Sequence, residues 1–149
     1  MKDQFNVLIV DDDLGDVELI QEFLNYEQNE QIQLNIASDG VEAINYLNSL
    51  MDSTRQSMPD LIILDLNMPR KNGRQVLNEL KNQNIFKTIP VVVFTTSDTP
   101  DDIRDVYNLG GNAYVTKPAG LEKFEEVVTS IKHFWIKTNK QPIVINPVS

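Results

Sequence analysis

The chain has 149 residues, 41% of them hydrophobic, which is one domain's length with enough apolar material for a core. A net charge of −9 and an isoelectric point near 4.5 exclude a nucleic-acid surface, which needs clustered Lys and Arg, and favour protein partners. The absence of cysteine excludes disulfides and thiolate metal sites. With neither a basic-then-apolar leader nor an apolar run of about 18 residues, no membrane segment is expected and the cytoplasm is the expected compartment.

Phe5 to Val10 is an apolar run of strand length, and it delivers Asp11-Asp12-Asp13 at its end. A helical pattern near residues 14 to 27 follows, then a strand from Ile32 to Ala37 and a helix near 40 to 50, for which Asp39 or Ser38 can serve as N-cap. Residues 51 to 59 form a polar stretch ending in Pro59 that lengthens the approach to the third strand, Leu61 to Asp65. A helix near 72 to 82 leads to the strand Pro90 to Thr95. The next helix, near 100 to 109, has Thr99 as its cap and Pro100 at a position where its fixed φ suits a helix. The strand Ala113 to Thr116 precedes a last helix near 120 to 138, in which Leu121, Phe124, Val127, Val128, Ile131, Phe134 and Trp135 make one apolar stripe. Phe134 and Trp135 fit either the core or a dimer seam. The tail from Lys137 to Ser149 carries Pro142 and Pro147 around Ile143-Val144-Ile145, which fits either a disordered end or an edge strand.

Strands alternating with helices predict an α/β fold with a five-stranded parallel sheet. The order 2-1-3-4-5, that of the flavodoxin-like (βα)5 three-layer sandwich, puts strands one and three side by side at the reversal point where such sheets bind ligands. Asp11, Asp12 and Asp65 then converge at the carboxyl ends of their strands. Two unit charges roughly 4 Å apart repel by about 4 kcal/mol at an effective dielectric near 20, so three carboxylates together call for a cation. Ligands that are all oxygen favour magnesium or calcium over zinc. Thr95 and Lys117 close strands four and five at the same edge. Simpler readings compete: Asp13 as a helix N-cap or a solvated acid, Thr95 as a β-prone residue, Lys117 as a surface lysine, and Tyr114 as a half-buried strand aromatic. His133, the only histidine, lies in the last helix, far along the chain from every carboxylate motif, and is read as neither ligand nor catalyst.

Val10-Asp11-Asp12, Leu64-Asp65-Leu66-Asn67-Met68-Pro69, Gly73, Thr95 and Tyr114-Val115-Thr116-Lys117-Pro118 stand in the order and spacing of a known family. Across residues 5 to 135 the chain resembles the CheY-like receiver domain of two-component response regulators. The stretch from Tyr46 to Trp135 is similar to single-domain regulators associated with cyanobacterial phytochromes. The resemblance implies a receiver domain over residues 1–138 and a C-terminal tail over 139–149. It implies that Asp65 is the phosphoacceptor and that Asp11, Asp12 and Asp65, with the backbone carbonyl of Asn67, hold Mg²⁺. It further implies that Lys117 and Thr95 contact the phosphoryl group, that Tyr114 and Thr95 form the switch, and that Pro118 follows a cis bond. The implied partners are a sensor histidine kinase, of phytochrome type on the narrower likeness, and a downstream protein target or phosphotransfer protein. The apolar last helix adds the expectation of a phosphorylation-enhanced homodimer.

Such a protein catalyses only its own phosphorylation and dephosphorylation. The rival readings are a phosphorylation-independent pseudo-receiver that acts by binding alone, and a turnover enzyme of α/β type. Against the first, none of Asp12, Asp65, Thr95 and Lys117 is missing. Against a nucleotide enzyme, the loop Asp11 to Asp16 contains only Gly15, and neither a G-x-G-x-x-G nor a Walker sequence is present. Thr96 departs from the small residue usual in the family and bears on access to the site.

Overall fold

The computed structural model describes residues 4–25, 31–51 and 57–142. Its elements run β1 (Phe5–Val10), α1 (Leu14–Leu24), β2 (Ile32–Ala37), α2 (Gly40–Ser49), β3 (Leu61–Leu64), α3 (Gly73–Lys81), β4 (Val91–Thr95), α4 (Pro100–Asn108), β5 (Ala113–Thr116) and α5 (Leu121–Ile131). The five strands form one parallel sheet in the order β2-β1-β3-β4-β5, the expected topology.

Side-chain alternation explains the three layers. Along β1, Val7 and Ile9 face one way and join Val17, Ile20, Phe23, Phe124 and Val128 of α1 and α5. Leu8 and Val10 face the other way and join Ala43, Leu47, Val76, Leu77 and Val106 of α2, α3 and α4. The strands β3 and β4 divide in the same manner, Leu61, Ile63, Val92 and Phe94 toward α1 and α5, and Ile62, Leu64, Val91 and Val93 toward the opposite layer. Every residue of β3 and β4 is buried, as parallel strands covered on both faces require, whereas the edge strands β2 and β5 are only partly covered.

Helix starts follow the chemistry of their caps. Asp13 accepts from the Asp16 N–H at 3.0 Å, so the capping reading of Asp13 holds. Asp39 caps α2 through the Glu42 N–H, and Thr99 caps α4 ahead of Pro100. A reciprocal pair between Asn72 and Gln75 forms a capping box at α3.

Three expectations are corrected, and two fall on residues outside those described. The peptide bond before Pro118 is trans, as are all others among the described residues, so the expected cis bond is not found. The trans form is favoured by about 0.5–1 kcal/mol even before proline, and Lys117 is directed inward by other means, including a 2.7 Å hydrogen bond from its N–H to the Thr95 carbonyl. The last helix is not uniformly α: after Ile131 it continues as a π-helical segment, Lys132–Thr138. Bonding between residues five apart widens the turn, which carries Trp135 and Ile136 onto the α1/α5 core and leaves Phe134 49% exposed. Leu121, counted in the apolar stripe, sits at the helix start and is 62% exposed. Residues 143–149, where the edge-strand alternative for the tail falls, lie outside the described residues, as do 52–56 of the lengthened connection; Met58, within that connection, is buried.

Candidate functional site

The hydrogen-bond ladder continues one residue beyond the central strands. The Asp11 N–H donates to the Ala37 carbonyl at 3.0 Å, and that of Asp65 to the Val10 carbonyl at 2.9 Å. Val10 pairs with Leu64, so Asp11 and Asp65 lie side by side at the carboxyl edge of β1 and β3. Alternation then decides the facing. Asp11 continues the Val7, Ile9 series, Asp65 the Leu61, Ile63 series and Lys117 the Ala113, Val115 series, all belonging to the α1/α5 face. Thr95 and Tyr114 continue the series of the other face.

Asp11, Asp12 and Asp65 each offer a carboxylate oxygen, and the three lie within 4.8 Å of one another. Asp11 and Asp65 are buried and Asp12 is exposed. Asn67 is held at the same edge by its N–H, 3.5 Å from Asp65 Oδ1. The all-oxygen donor set and the buried negative charge fit a hard divalent cation.

Lys117 is buried, and its Nζ lies 2.7 Å from Asp11 Oδ2, 2.8 Å from Asp16 Oδ2 and 3.6 Å from Asp65 Oδ2. Its ammonium also stands 6.0 Å from the centre of the Phe94 ring. Burial acts to lower the Lys117 pKa, but hydrogen bonds to Asp11 and Asp16 and the charges of Asp11 and Asp65 outweigh it, and the net direction is upward. The ammonium therefore stays charged. Burial pushes the Asp11 carboxyl up to about 6, against the lowering pull of Lys117 and of the Asp13 N–H. A cation at Asp11 would offset that burial.

Thr95 is fully buried and its hydroxyl has no hydrogen-bond partner among the described residues. Tyr114 is half-buried and donates its hydroxyl to the Ser97 carbonyl at 2.6 Å; burial raises its pKa. Ser97 also hydrogen-bonds Asp102 of α4, and Asp102 pairs with Arg74 of α3. A polar chain thus runs from β5 through the loop after Thr95 to α4 and α3. Thr96 is exposed beside it, and His133 is exposed on the π-helical segment after α5.

Sequence reasoning missed Asp16. An acid in the first turn of a helix reads as a complement to the helix dipole, and nothing local points to a lysine 101 residues away. The usable signal was topological, because α1 packs on the face to which β5 turns Lys117. Also missed was a tie in the loop after β3: Arg70 adopts a left-handed φ of 65° and pairs with Asp39 at 2.7 Å, joining that loop to the start of α2.

A doubly wound sheet that gathers acids from its two central strands, with a charged lysine turned onto them from its edge, belongs to the class of α/β domains whose chemistry sits at the topological switch point. Within that class the family is settled by comparison: the response regulator receiver domain matches residues 7–129, and the chain belongs to that family. It is 38% identical over 146 residues to response regulator Rcp1 of Synechocystis sp., covering 95% of this chain and 99% of Rcp1. It is 33% identical over 144 residues to the probable methanogenesis regulatory protein FilR2 of Methanothrix harundinacea, covering 95% of this chain and 90% of FilR2. The structure of the phosphorylated cyanobacterial phytochrome response regulator RcpA matches with a TM-score of 0.87 at 40% identity, over 94% of this chain and 99% of RcpA. The Mn²⁺-bound form of Rcp1 matches with 0.85 at 38% identity, over 93% and 99%. The narrower likeness to regulators of the cyanobacterial-phytochrome type is thus found in sequence and structure alike. No helix among the described residues is long and apolar enough to cross a membrane.

Proposed function

We propose that this chain is a cytoplasmic phosphoacceptor switch in which Asp65 takes a phosphoryl group from a phosphohistidine of a sensor histidine kinase. The observation that carries the reading is the position of Asp65. It is a buried carboxylate at the tip of β3, with carboxylate oxygens of Asp11 and Asp12 within 4.8 Å and the Lys117 ammonium at 3.6 Å. An Asp65 oxygen attacks phosphorus and forms the new P–O bond. The P–N bond breaks, and its electron pair stays with the departing imidazole nitrogen. Catalysis of such a transfer is mostly positioning and charge neutralisation.

The residues that would hold Mg²⁺ are Asp11, Asp12 and Asp65, with the Asn67 carbonyl; when bound, it neutralises charge on the transferring oxygens. The Mn²⁺-bound form of Rcp1 supports a divalent site of this kind. Lys117 offers an N–H to a phosphoryl oxygen, and the unpaired Thr95 hydroxyl is a second donor. Phosphorylation adds about −1.5 to −2 of charge. Thr95 moving toward that charge would pull on the loop whose Ser97 carbonyl holds Tyr114, the element proposed to switch. The description of RcpA as a cyanobacterial phytochrome response regulator supports a phytochrome-type kinase as partner, with output by protein contact or by phosphoryl relay.

Intact-mass analysis after incubation with a small phosphoryl donor, with and without Mg²⁺, tests this. One acid-stable, base-labile phosphoryl adduct that requires Mg²⁺ and is lost in Asp65→Asn is the expected result. Stoichiometric labelling of the folded Asp65→Asn variant overturns the assignment. If no donor, including phosphorylated histidine kinase, labels the wild type, the chain is a binding module instead.

A further inference from the structure

The geometry points to Asp16, outside the receiver motifs, as the positioning residue for Lys117, an inference that rests on the phosphoacceptor reading above. An ammonium has three N–H donors and no acceptor. Here two are satisfied, by Asp11 Oδ2 at 2.7 Å and Asp16 Oδ2 at 2.8 Å, and Asp65 Oδ2 at 3.6 Å is the remaining carboxylate within reach. The two fixed contacts aim the third N–H at the acceptor, where an incoming phosphoryl oxygen would receive it.

The two anchors are not equivalent. Asp11 belongs to the cation-sized cluster with Asp12 and Asp65, and Asp16 does not. A divalent cation in that cluster draws on the Asp11 carboxylate and repels the ammonium, so Asp11 weakens as an anchor at the moment the site is loaded. Asp16 is the anchor the cation leaves in place. Its backbone is fixed by the Asp13 cap, through a 3.0 Å bond from the Asp16 N–H, and its side chain is only 25% exposed. The acid is thus delivered from α1, which packs on the sheet face toward which the alternation turns Lys117, Asp11 and Asp65. Asp16 touches neither the phosphoryl group nor the reacting atoms; it acts through Lys117.

A purely structural Asp16 would complement the helix dipole and affect stability alone. The two roles separate in Asp16→Asn, which keeps the side chain's size. In the loaded protein with Mg²⁺, the Lys117 ammonium is followed in a proton–nitrogen correlation spectrum selective for lysine side chains, where an ammonium locked in ion pairs is protected from solvent exchange. The labelling rate of Asp65 is measured in parallel by intact mass. The expected result is a Lys117 signal in wild type that Asp16→Asn loses, together with labelling slowed about 10-fold, equivalent to about 1.4 kcal/mol of transition-state stabilisation. In a Lys117→Gln background the Asp16→Asn change is expected to have no further effect on the rate, since there is no ammonium left to position. A retained signal, a rate within twofold of wild type, or a full additional loss in the Lys117→Gln background each overturns the inference. If wild type takes up no phosphoryl group, the phosphoacceptor reading has failed, and the ammonium signal alone decides whether Asp16 anchors Lys117.

Discussion

Thr95 ends β4 with a fully buried hydroxyl that has no hydrogen-bond partner among the described residues. A buried polar group left unsatisfied costs about 1–3 kcal/mol, and the shape of threonine is closely matched by valine. Thr95→Val is therefore expected to stabilise the unphosphorylated protein by about 1 kcal/mol in urea unfolding, at the low end of that range. On the phosphoacceptor reading proposed above, the same variant is also expected to lose the shift of Tyr114 resonances on addition of a beryllofluoride phosphoryl mimic. A gain in stability joined to a loss of response is what a donor reserved for a ligand predicts. A Thr95→Val protein that is less stable than wild type, or that responds normally, would show that the hydroxyl serves the unphosphorylated fold.

At the scale of elements, the site depends on loops held by contacts remote in sequence. Gly73 opens α3 so close to the tip of β3 that a Cβ there would meet the Asp65 carbonyl oxygen at 2.3 Å and the Leu66 Cα at 2.7 Å, both backbone atoms that cannot swing aside. Glycine at this place lets α3 begin beside Asp65. On the other flank, Arg70 in its left-handed conformation reaches Asp39, which also caps α2 through the Glu42 N–H at 2.8 Å. The Glu42 N–H is the largest influence on the Asp39 carboxyl; burial opposes it, and the hydrogen bond and charge of Arg70 add to it, so the net direction is below the ordinary value of 3.8. Because the folded pKa lies below the unfolded one, the ionised Asp39 contributes stability that is present above about pH 3.8 and lost as pH falls through the folded value. Asn caps helices about as well as Asp, so Asp39→Asn isolates the charge. It is expected to lower stability at neutral pH, with the gap to wild type closing as the solution is acidified below the ordinary carboxylate range. Urea midpoints collected across that range check this, and a gap independent of pH would mean that the Arg70 pairing carries no net charge effect.

For the whole molecule, the sheet order and layers were legible in the sequence because three continuously apolar runs alternate with helical patterns. Asp11, Asp65 and Thr95 were legible because each closes such a run, whereas Asn67, Tyr114 and Lys117 were legible through the family motifs. What the sequence hid has a common physical cause. The partnership of Asp16 with Lys117 and that of Asp39 with Arg70 arise only when separate βα units are laid together. The π-helical segment after Ile131 escaped because its bonding spans five residues, a step that apolar spacing at three and four does not report. The same assembled site bears on global stability. It concentrates Asp11, Asp12 and Asp65 in a chain that already carries a net charge of −9. A divalent cation held there by the folded state alone stabilises by mass action, by about 2.7 kcal/mol at a free concentration 100 times its dissociation constant. Thermal unfolding in a chelator and then in excess Mg²⁺ is expected to show a clear rise in midpoint for wild type. Asp12→Asn should remove most of that rise while changing the midpoint in chelator little, since Asp12 is the exposed member of the cluster. Screening of the overall negative charge would raise both proteins alike, so an equal rise in the two would assign the stabilisation to the molecule's net charge and remove the cation from the site.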